Sequence, residues 1–150
     1  LRTLAVEGNQ DQIRACCALT LDFDMDTALA LLDESPALVR LAALVVNGPR
    51  VPENPRILED ALVQALESLE TSDPELRDYA IRALTAAGKR ARPGLLGATQ
   101  SKNPRARAAA CTVLGASGLE DAVLLKLVDD GDPWVRINAN RARNGFPEVR

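Results

Sequence analysis

The sequence predicts an all-α fold, a solenoid of about four to five stacked helical hairpins, and three observations support this prediction. Aromatic residues make up only 3% of the chain, and the apolar residues are mainly Ala, Leu and Val, which suits closely packed helices. A short proline-containing motif recurs along the chain. Apolar residues follow each motif at helical spacing. Because one hairpin cannot bury its apolar face alone, we expect the copies to stack into a single domain over residues 1–150.

The repeated motif places a capping residue directly before a proline. It is clearest in residues 72–88, 102–118 and 131–147, whose prolines lie 30 and 29 residues apart at positions 74, 104 and 133. The preceding Asp or Asn can accept a hydrogen bond from an amide of the first helical turn. Proline loses nothing at the next position, since its missing N–H would be unpaired there. The motif therefore predicts helices that start near 74, 104 and 133.

Two less regular copies precede these three. Residues 34–48 contain Ser35-Pro36, with Arg40 one residue further along than in the other copies. Residues 9–21 lack the proline but keep Ile13-Arg14. We predict helices that start near 36 and near 10. Three prolines and a glycine in residues 47–55 predict a loop, which explains the wider gap of 38 residues between the second and third copies.

Second helices are expected between the copies. Residues 24–34, 55–70 and 118–130 each combine an apolar stripe with an acidic first turn. Residues 91–101 leave room for only a short helix, which would follow Pro93. Three glycines are expected to end the repeat helices in the left-handed conformation: Gly48, Gly88 and Gly118.

The motif resembles that of HEAT repeats, in particular the short prokaryotic repeats related to phycobilisome lyases. The resemblance is carried by residues 73–77, 103–107 and 132–136 and covers nearly the whole chain. It implies a right-handed α-solenoid whose inner helices line a concave, protein-binding surface. It also implies a structural ladder of hydrogen bonds and ion pairs between adjacent repeats, with Asp73 and Asp132 as acceptors. The arginines of that ladder would be Arg14, Arg40, Arg77, Arg107 and Arg136.

Charge is unevenly distributed along the chain. Residues 1–75 hold 5 basic and 14 acidic residues, whereas residues 76–150 hold 13 and 7. On the inner surface that the resemblance implies, a positive strip would bind a protein with an acidic patch; its residues would be Tyr79, Arg82, Arg107 and Arg141, with Trp134 as a further binding residue. Two alternatives stay open, an ordinary solvated surface and binding of a nucleic-acid backbone. The acidic overall balance and the few aromatics disfavour nucleic acid.

Trp134 is the only tryptophan, and it occupies a position where the sister copies have Glu75 and Arg105. One interpretation packs Trp134 against the C-terminal tail, including Phe146. The other makes it a binding anchor, because tryptophan is over-represented at interface hot spots. The opposite charges of the two halves also make head-to-tail self-association an open alternative.

Enzyme signatures are missing from the sequence. It contains no histidine, P-loop, dinucleotide-binding glycine motif or HExxH pattern, so we expect a non-catalytic protein without cofactor or metal. Asp22, Asp24 and Asp26 alternate as in a cation site, but no EF-hand loop follows, so Asp22 or Asp24 is interpreted as the cap of a helix that starts near Met25. A further set of carboxylates is interpreted as the solvated face of one helix: Glu59, Asp60, Glu67 and Glu70. The resemblance to phycobilisome lyases implies a lyase-type or chaperone-like accessory role as a second alternative.

The cysteines indicate a reducing compartment. There are three of them, Cys16, Cys17 and Cys111, and an odd number with two adjacent disfavours a disulfide framework. Each lies among small apolar residues, which predicts that it fills core space. No apolar run approaches the roughly 20 residues that span a bilayer. The sequence therefore predicts a cytoplasmic protein with no membrane partner.

Overall fold

A computed structural model describes residues 37–47, 55–118 and 121–145. The described part of the chain is helical apart from short turns and contains no strand. Its elements are α1 (Ala37–Asn47), α2 (Pro55–Ser68), α3 (Pro74–Ala87), a 3₁₀ helix (Gly88–Ala91), α4 (Arg92–Ala98), α5 (Pro104–Ala116), α6 (Asp121–Leu127) and α7 (Pro133–Asn144). The predicted all-α class is confirmed. The helices expected near residues 10 and 24–34, most of the 47–55 loop and Gly48 lie outside the described residues.

The chain forms two compact units, residues 1–87 and residues 88–150. In the described part of the first unit, α1 and α2 both pack against α3, and the side chains of Leu41, Leu44 and Leu84 are fully buried. In the second unit, α7 packs against α5 and α6, while α4 packs against α5. Its core is built largely from small residues of α5, with Leu114 and Val113 fully buried. Each unit therefore has its own apolar interior.

Local capping explains why α3, α5 and α7 start at Pro74, Pro104 and Pro133. In each case the residue before the proline accepts a hydrogen bond from the amide two residues further along. The Oδ1 atom of Asp73 accepts from the amide of Glu75 at 2.9 Å, and Oδ1 of Asn103 accepts from that of Arg105 at 3.0 Å. Oδ1 of Asp132 accepts from the amide of Trp134 at 2.8 Å. The predicted caps are confirmed at these three positions.

Two of the predicted helix-ending glycines adopt the left-handed conformation. Gly88 has φ 58° directly after α3, and Gly118 has φ 63° shortly after α5. A residue with a Cβ atom is disfavoured at such φ values, so glycine permits the reversal into the next helix. The helix α6 is shorter than the predicted 118–130, because residues after Leu127 form the turn that leads into α7. None of the described helices is long and apolar enough to cross a bilayer.

The packing of α7 on α5 depends on a missing side chain. A Cβ atom placed on Gly115 would lie 2.5 Å from Cβ and 2.7 Å from Cα of Ala142. Such distances are far below van der Waals contact, so only glycine allows this close approach of the two helices. Val135 and Ala139 lie on the same side of α7 as Ala142 and are fully buried.

Candidate binding surface

A seven-residue turn precedes and opens each of the helices α3, α5 and α7. We call it the arginine turn; its three copies span residues 71–77, 101–107 and 130–136. The first residue of each copy is Thr, Ser or Asp, and its side chain accepts a hydrogen bond from the amide of the capping residue. These distances are 3.2 Å for Thr71, 3.0 Å for Ser101 and 2.9 Å for Asp130. Two successive side-chain caps therefore shape the chain before each helix begins.

The arginine at the end of each turn closes it by reaching back six residues. Nη1 of Arg77 donates to the carbonyl of Thr71 at 2.7 Å, and Nη1 of Arg107 donates to that of Ser101 at 2.9 Å. Nη1 of Arg136 donates to the carbonyl of Asp130 at 2.8 Å. These carbonyls take the place of the acceptors expected at Asp73 and Asp132, whose carboxylates are engaged by amides of the first helical turn.

One turn is tied to the next through an ion pair. Nε and Nη2 of Arg107 donate to Oδ2 and Oδ1 of Asp130 at 2.9 and 2.8 Å, a two-pronged contact between the second and third copies. The side chains are only 18% and 11% exposed. The hydrogen bond from Arg107 lowers the pKa of Asp130 below its usual value, and the same bond raises that of Arg107. Arg107 is therefore committed to this contact and is not a free charge of the predicted positive strip.

The exposed side of α7 carries two large apolar residues next to a cation. Trp134 is 58% exposed, Ile137 is 41% exposed, and Arg141 is also exposed. At 100° per residue these positions fall within an arc of about 60° on the helix. No acidic residue occurs between Pro133 and Asn144. We call Trp134, Ile137 and Arg141 the α7 face. Phe146, against which Trp134 was expected to pack, lies outside the described residues.

The preceding copy of the repeat shows how the equivalent positions are packed on α5. Because the prolines are 29 residues apart, Ile137 corresponds to Ala108 and Arg141 to Thr112. On α5 this side is covered: Ala108 is only 3% exposed, and Oγ1 of Thr112 lies 3.4 Å from Oδ1 of Asn138 on α7. At the positions of Ile137 and Arg141, the α7 face thus corresponds to residues that are covered on α5. The counterpart of Trp134, Arg105, is exposed on α5.

A comparison with known protein families agrees with the repeated turn and with the packing of the helices. The sequence profile described as HEAT repeats matches residues 59–143. The chain belongs to the HEAT-repeat family. HEAT repeats are generally protein-interaction scaffolds. Among curated proteins, no relative matches the chain.

The remaining residues of the predicted strip lie in the first HEAT-repeat unit. Cζ of Arg82 lies 5.6 Å from the centroid of the Tyr79 ring, within the range of a cation–π contact. The side chain of Tyr79 is largely buried, whereas that of Arg82 is exposed. Tyr79 therefore supports Arg82 and offers little surface of its own. Of the other arginines expected in the structural ladder, Arg40 is half-buried on α1 and Arg14 lies outside the described residues.

A groove of about 290 Å³ lies between α4 and α6 of the second HEAT-repeat unit. Its lining is mostly apolar and includes one charged side chain, that of Lys126. The buried Thr99 hydroxyl, which also lines the groove, donates to the carbonyl of Leu96 at 2.7 Å. These lining residues provide neither a nucleophile–base pair nor paired carboxylates. Among the described residues, no cluster of three His, Cys, Asp or Glu side chains is placed to hold a metal ion.

The first residue of the arginine turn escaped the sequence analysis. Asp130 was assigned to the end of the preceding helix, so its pairing with Arg107 was not anticipated. The signal was nevertheless present, because a residue with a side-chain oxygen stands two positions before the cap in all three copies, at Thr71, Ser101 and Asp130. The exposure of Ile137 was also missed, since it depends on which helices stack and not on the local sequence.

Proposed function

We propose that this HEAT-repeat protein is a non-catalytic scaffold that binds an acidic protein through the α7 face. The observation that carries the proposal is the exposure of Trp134 and Ile137 beside Arg141 on a helix without acidic residues. A scaffold of this kind contributes affinity by burying apolar surface and specificity by pairing charges.

The three residue types of the α7 face are suited to that task. Tryptophan and arginine are enriched among the residues that dominate binding energy at protein interfaces. Burial of the Trp134 and Ile137 side chains would remove apolar area from water. The guanidinium of Arg141 can pair with a carboxylate through two parallel hydrogen bonds. The matching partner surface therefore presents an apolar side chain with a carboxylate close by.

The surrounding charge favours the same partner. Residues 88–150 hold 11 basic and 6 acidic residues, and residues 88–118 hold no acid at all. The basic residues of this segment that are exposed are Lys89, Arg90, Arg92, Lys102 and Arg105. A field of one sign attracts an oppositely charged partner and raises the rate of association at low ionic strength.

Affinity capture with matched variants tests the proposal. We compare three immobilised proteins, the wild type, Trp134→Ala and Arg141→Glu, with the control Lys126→Glu. The control makes the same change of charge as Arg141→Glu, at an exposed position of α6. We expect both α7 variants to lose the acidic proteins that the wild type and the control retain. Arg82→Glu tests separately whether the first unit contributes. Equal capture by all variants, each shown to be folded, would refute the proposal.

The acid-free segment 88–118 supports one second candidate, binding to a nucleic-acid backbone. Such binding depends on neutralising phosphates and therefore weakens steeply as salt rises. Fluorescence anisotropy with labelled single-stranded and duplex DNA at low salt distinguishes the two candidates. Tight, salt-sensitive binding that survives Trp134→Ala supports the nucleic-acid function, whereas no binding at low salt dismisses it.

A further inference from the structure

We propose that a second copy of this chain docks on the α7 face, and that it does so through an acidic face of α2. This inference rests on the proposed function, because it names a partner for the same surface. It goes beyond that function by assigning the partner's residues and by predicting that the protein associates with itself head to tail.

The acidic face of α2 consists of Glu59, Asp60, Val63 and Glu67. All four residues are exposed, and Val63 is 53% exposed despite its apolar side chain. At 100° per residue they fall within an arc of about 100° on the helix. The face therefore presents one apolar side chain that is flanked by carboxylates in both directions along the helix. Arg56 is the one exposed base on α2 and lies in its first turn.

This α2 face matches the chemistry that the α7 face requires. On α7, the apolar residues Trp134 and Ile137 lie next to Arg141; on α2, Val63 lies next to Asp60 and Glu67. In the described part of the chain only four large apolar side chains are exposed, and three of them lie on these two faces. The fourth, Leu125, is on α6 and provides a natural control. Docking would cover the three apolar side chains and pair the arginine with a carboxylate.

The packing already present in the second unit shows how α7 can accept a helix. On α5, Thr112 at the position of Arg141 lies against Asn138 of α7, and Gly115 is in close contact with Ala142. On α7 the corresponding residues are larger, and Asn144 stands in the position of Gly115. A helix docked there would therefore lie further away than α7 lies from α5. Its contact would rest on the longer side chains of Trp134, Ile137 and Arg141.

Net charge determines which units can meet. Residues 1–87 hold 7 basic and 15 acidic residues, a net charge of −8, whereas residues 88–150 hold 11 and 6, a net charge of +5. Like units of two copies repel each other, and unlike units attract. The contact is consequently head to tail, so it either closes into a small ring or extends into a chain.

Sedimentation velocity of the full chain provides the first test. One pair of helix faces buries little area, so we expect weak association that becomes visible between about 10 and 500 µM. Screening should weaken it when salt is raised from about 0.05 M to 0.5 M. Val63→Glu and Ile137→Glu should each weaken association at least about tenfold. The control Leu125→Glu, at a position that is 51% exposed, should not change it.

A charge exchange between two variants provides the decisive test. One variant carries Asp60→Lys and Glu67→Lys on α2, and the other carries Asn140→Glu and Arg141→Glu on α7. Each variant alone has two faces of the same sign and should remain monomeric. An equimolar mixture should associate, because each variant supplies the face that the other lacks. The basic α2 face of the first can meet the acidic α7 face of the second, and the two unchanged faces can meet as in the wild type.

The outcomes separate this inference from the proposed function. A wild type that stays monomeric across the concentration range at low salt overturns the inference, as does a mixture that fails to associate after the wild type has done so. Neither result affects the proposed function, which is refuted if the Trp134 and Arg141 variants retain acidic proteins as the wild type does.

Discussion

The guanidinium of Arg107 donates two hydrogen bonds, of 2.9 and 2.8 Å, to the carboxylate of Asp130, which lies 23 residues further along the sequence. The remaining nitrogen of Arg107 donates to the carbonyl of Ser101, so one side chain closes its own turn and holds the next one. The contact is mostly shielded from water, so removing one of its partners costs more than breaking a surface ion pair. It fixes the spacing between α5 and the start of α7.

We first predict that Arg107→Ala lowers the free energy of unfolding by about 2–3 kcal/mol, because it removes two charged hydrogen bonds to the Asp130 carboxylate and one to the Ser101 carbonyl. Urea unfolding monitored by circular dichroism measures the loss. The exposed Arg105→Ala, two residues away, should stay within about 0.5 kcal/mol of the wild type. A double-mutant cycle with Asp130→Ala should give a coupling of about 1–2 kcal/mol. Additive losses would show that the two residues act independently.

The second prediction concerns acid stability. Arg107 holds the pKa of Asp130 below its usual value, so the folded state keeps this carboxylate ionised at a pH where the unfolded chain protonates it. The stabilisation is present above the unfolded pKa of about 3.9 and is lost as the pH falls through the lower folded value. Asp130→Asn should therefore lose less stability than the wild type when the pH falls from about 5 to 3. An equal loss of unfolding free energy in the two proteins over this pH range would contradict the lowered pKa of Asp130.

The third prediction concerns the close approach of α5 and α7. Gly115→Ala should destabilise the protein by about 1–3 kcal/mol, because the new Cβ meets both Cβ and Cα of Ala142 and the helices must separate. Gly97→Ala is the matched control: a Cβ there meets nothing within 4 Å, and the change should stabilise the protein by up to about 1 kcal/mol. Adding Ala142→Gly should recover part of the loss. Thermal unfolding of the four proteins provides the comparison.

Cys111 supports a fourth prediction. Burial raises the pKa of its thiol to about 11, with a further contribution from the charge of Asp130. The unfolded thiol ionises near pH 8.5, so stability should fall between about pH 8.5 and 11, where only the unfolded chain has lost the proton. In a variant with Cys16→Ala and Cys17→Ala, Cys111 should react with a thiol reagent at pH 8 only after denaturant is added. Rapid labelling of the folded variant would contradict its burial.

The parts of this structure that depend on local chemistry were predictable. The starts of α3, α5 and α7 follow from a cap and a proline, and the reversal after α3 follows from Gly88. The burial of Cys111 followed from its small apolar neighbours. Each of these features is determined within a few residues of sequence.

The features that the sequence left open depend on distant residues. Arg107 was expected to belong to both the ladder and the positive strip, and only its pairing with Asp130 decides between these roles. Whether Trp134 and Ile137 are exposed depends on which side of α7 meets α5. The close approach on that side requires Gly115, whose missing side chain makes room for a residue 27 positions away. No local pattern encodes such a contact.

The fluorescence of Trp134 tests the central claim most directly, because it is the only tryptophan and lies within the α7 face. In the free protein we expect emission typical of a solvated indole, with efficient quenching by acrylamide. An amphipathic helical peptide of Leu and Glu should shift the emission to the blue and protect Trp134 from the quencher, and Arg141→Glu should abolish both effects. Emission typical of a buried indole in the free protein, or an unchanged spectrum at saturating peptide, would contradict the claim that the α7 face is an open docking surface for acidic proteins.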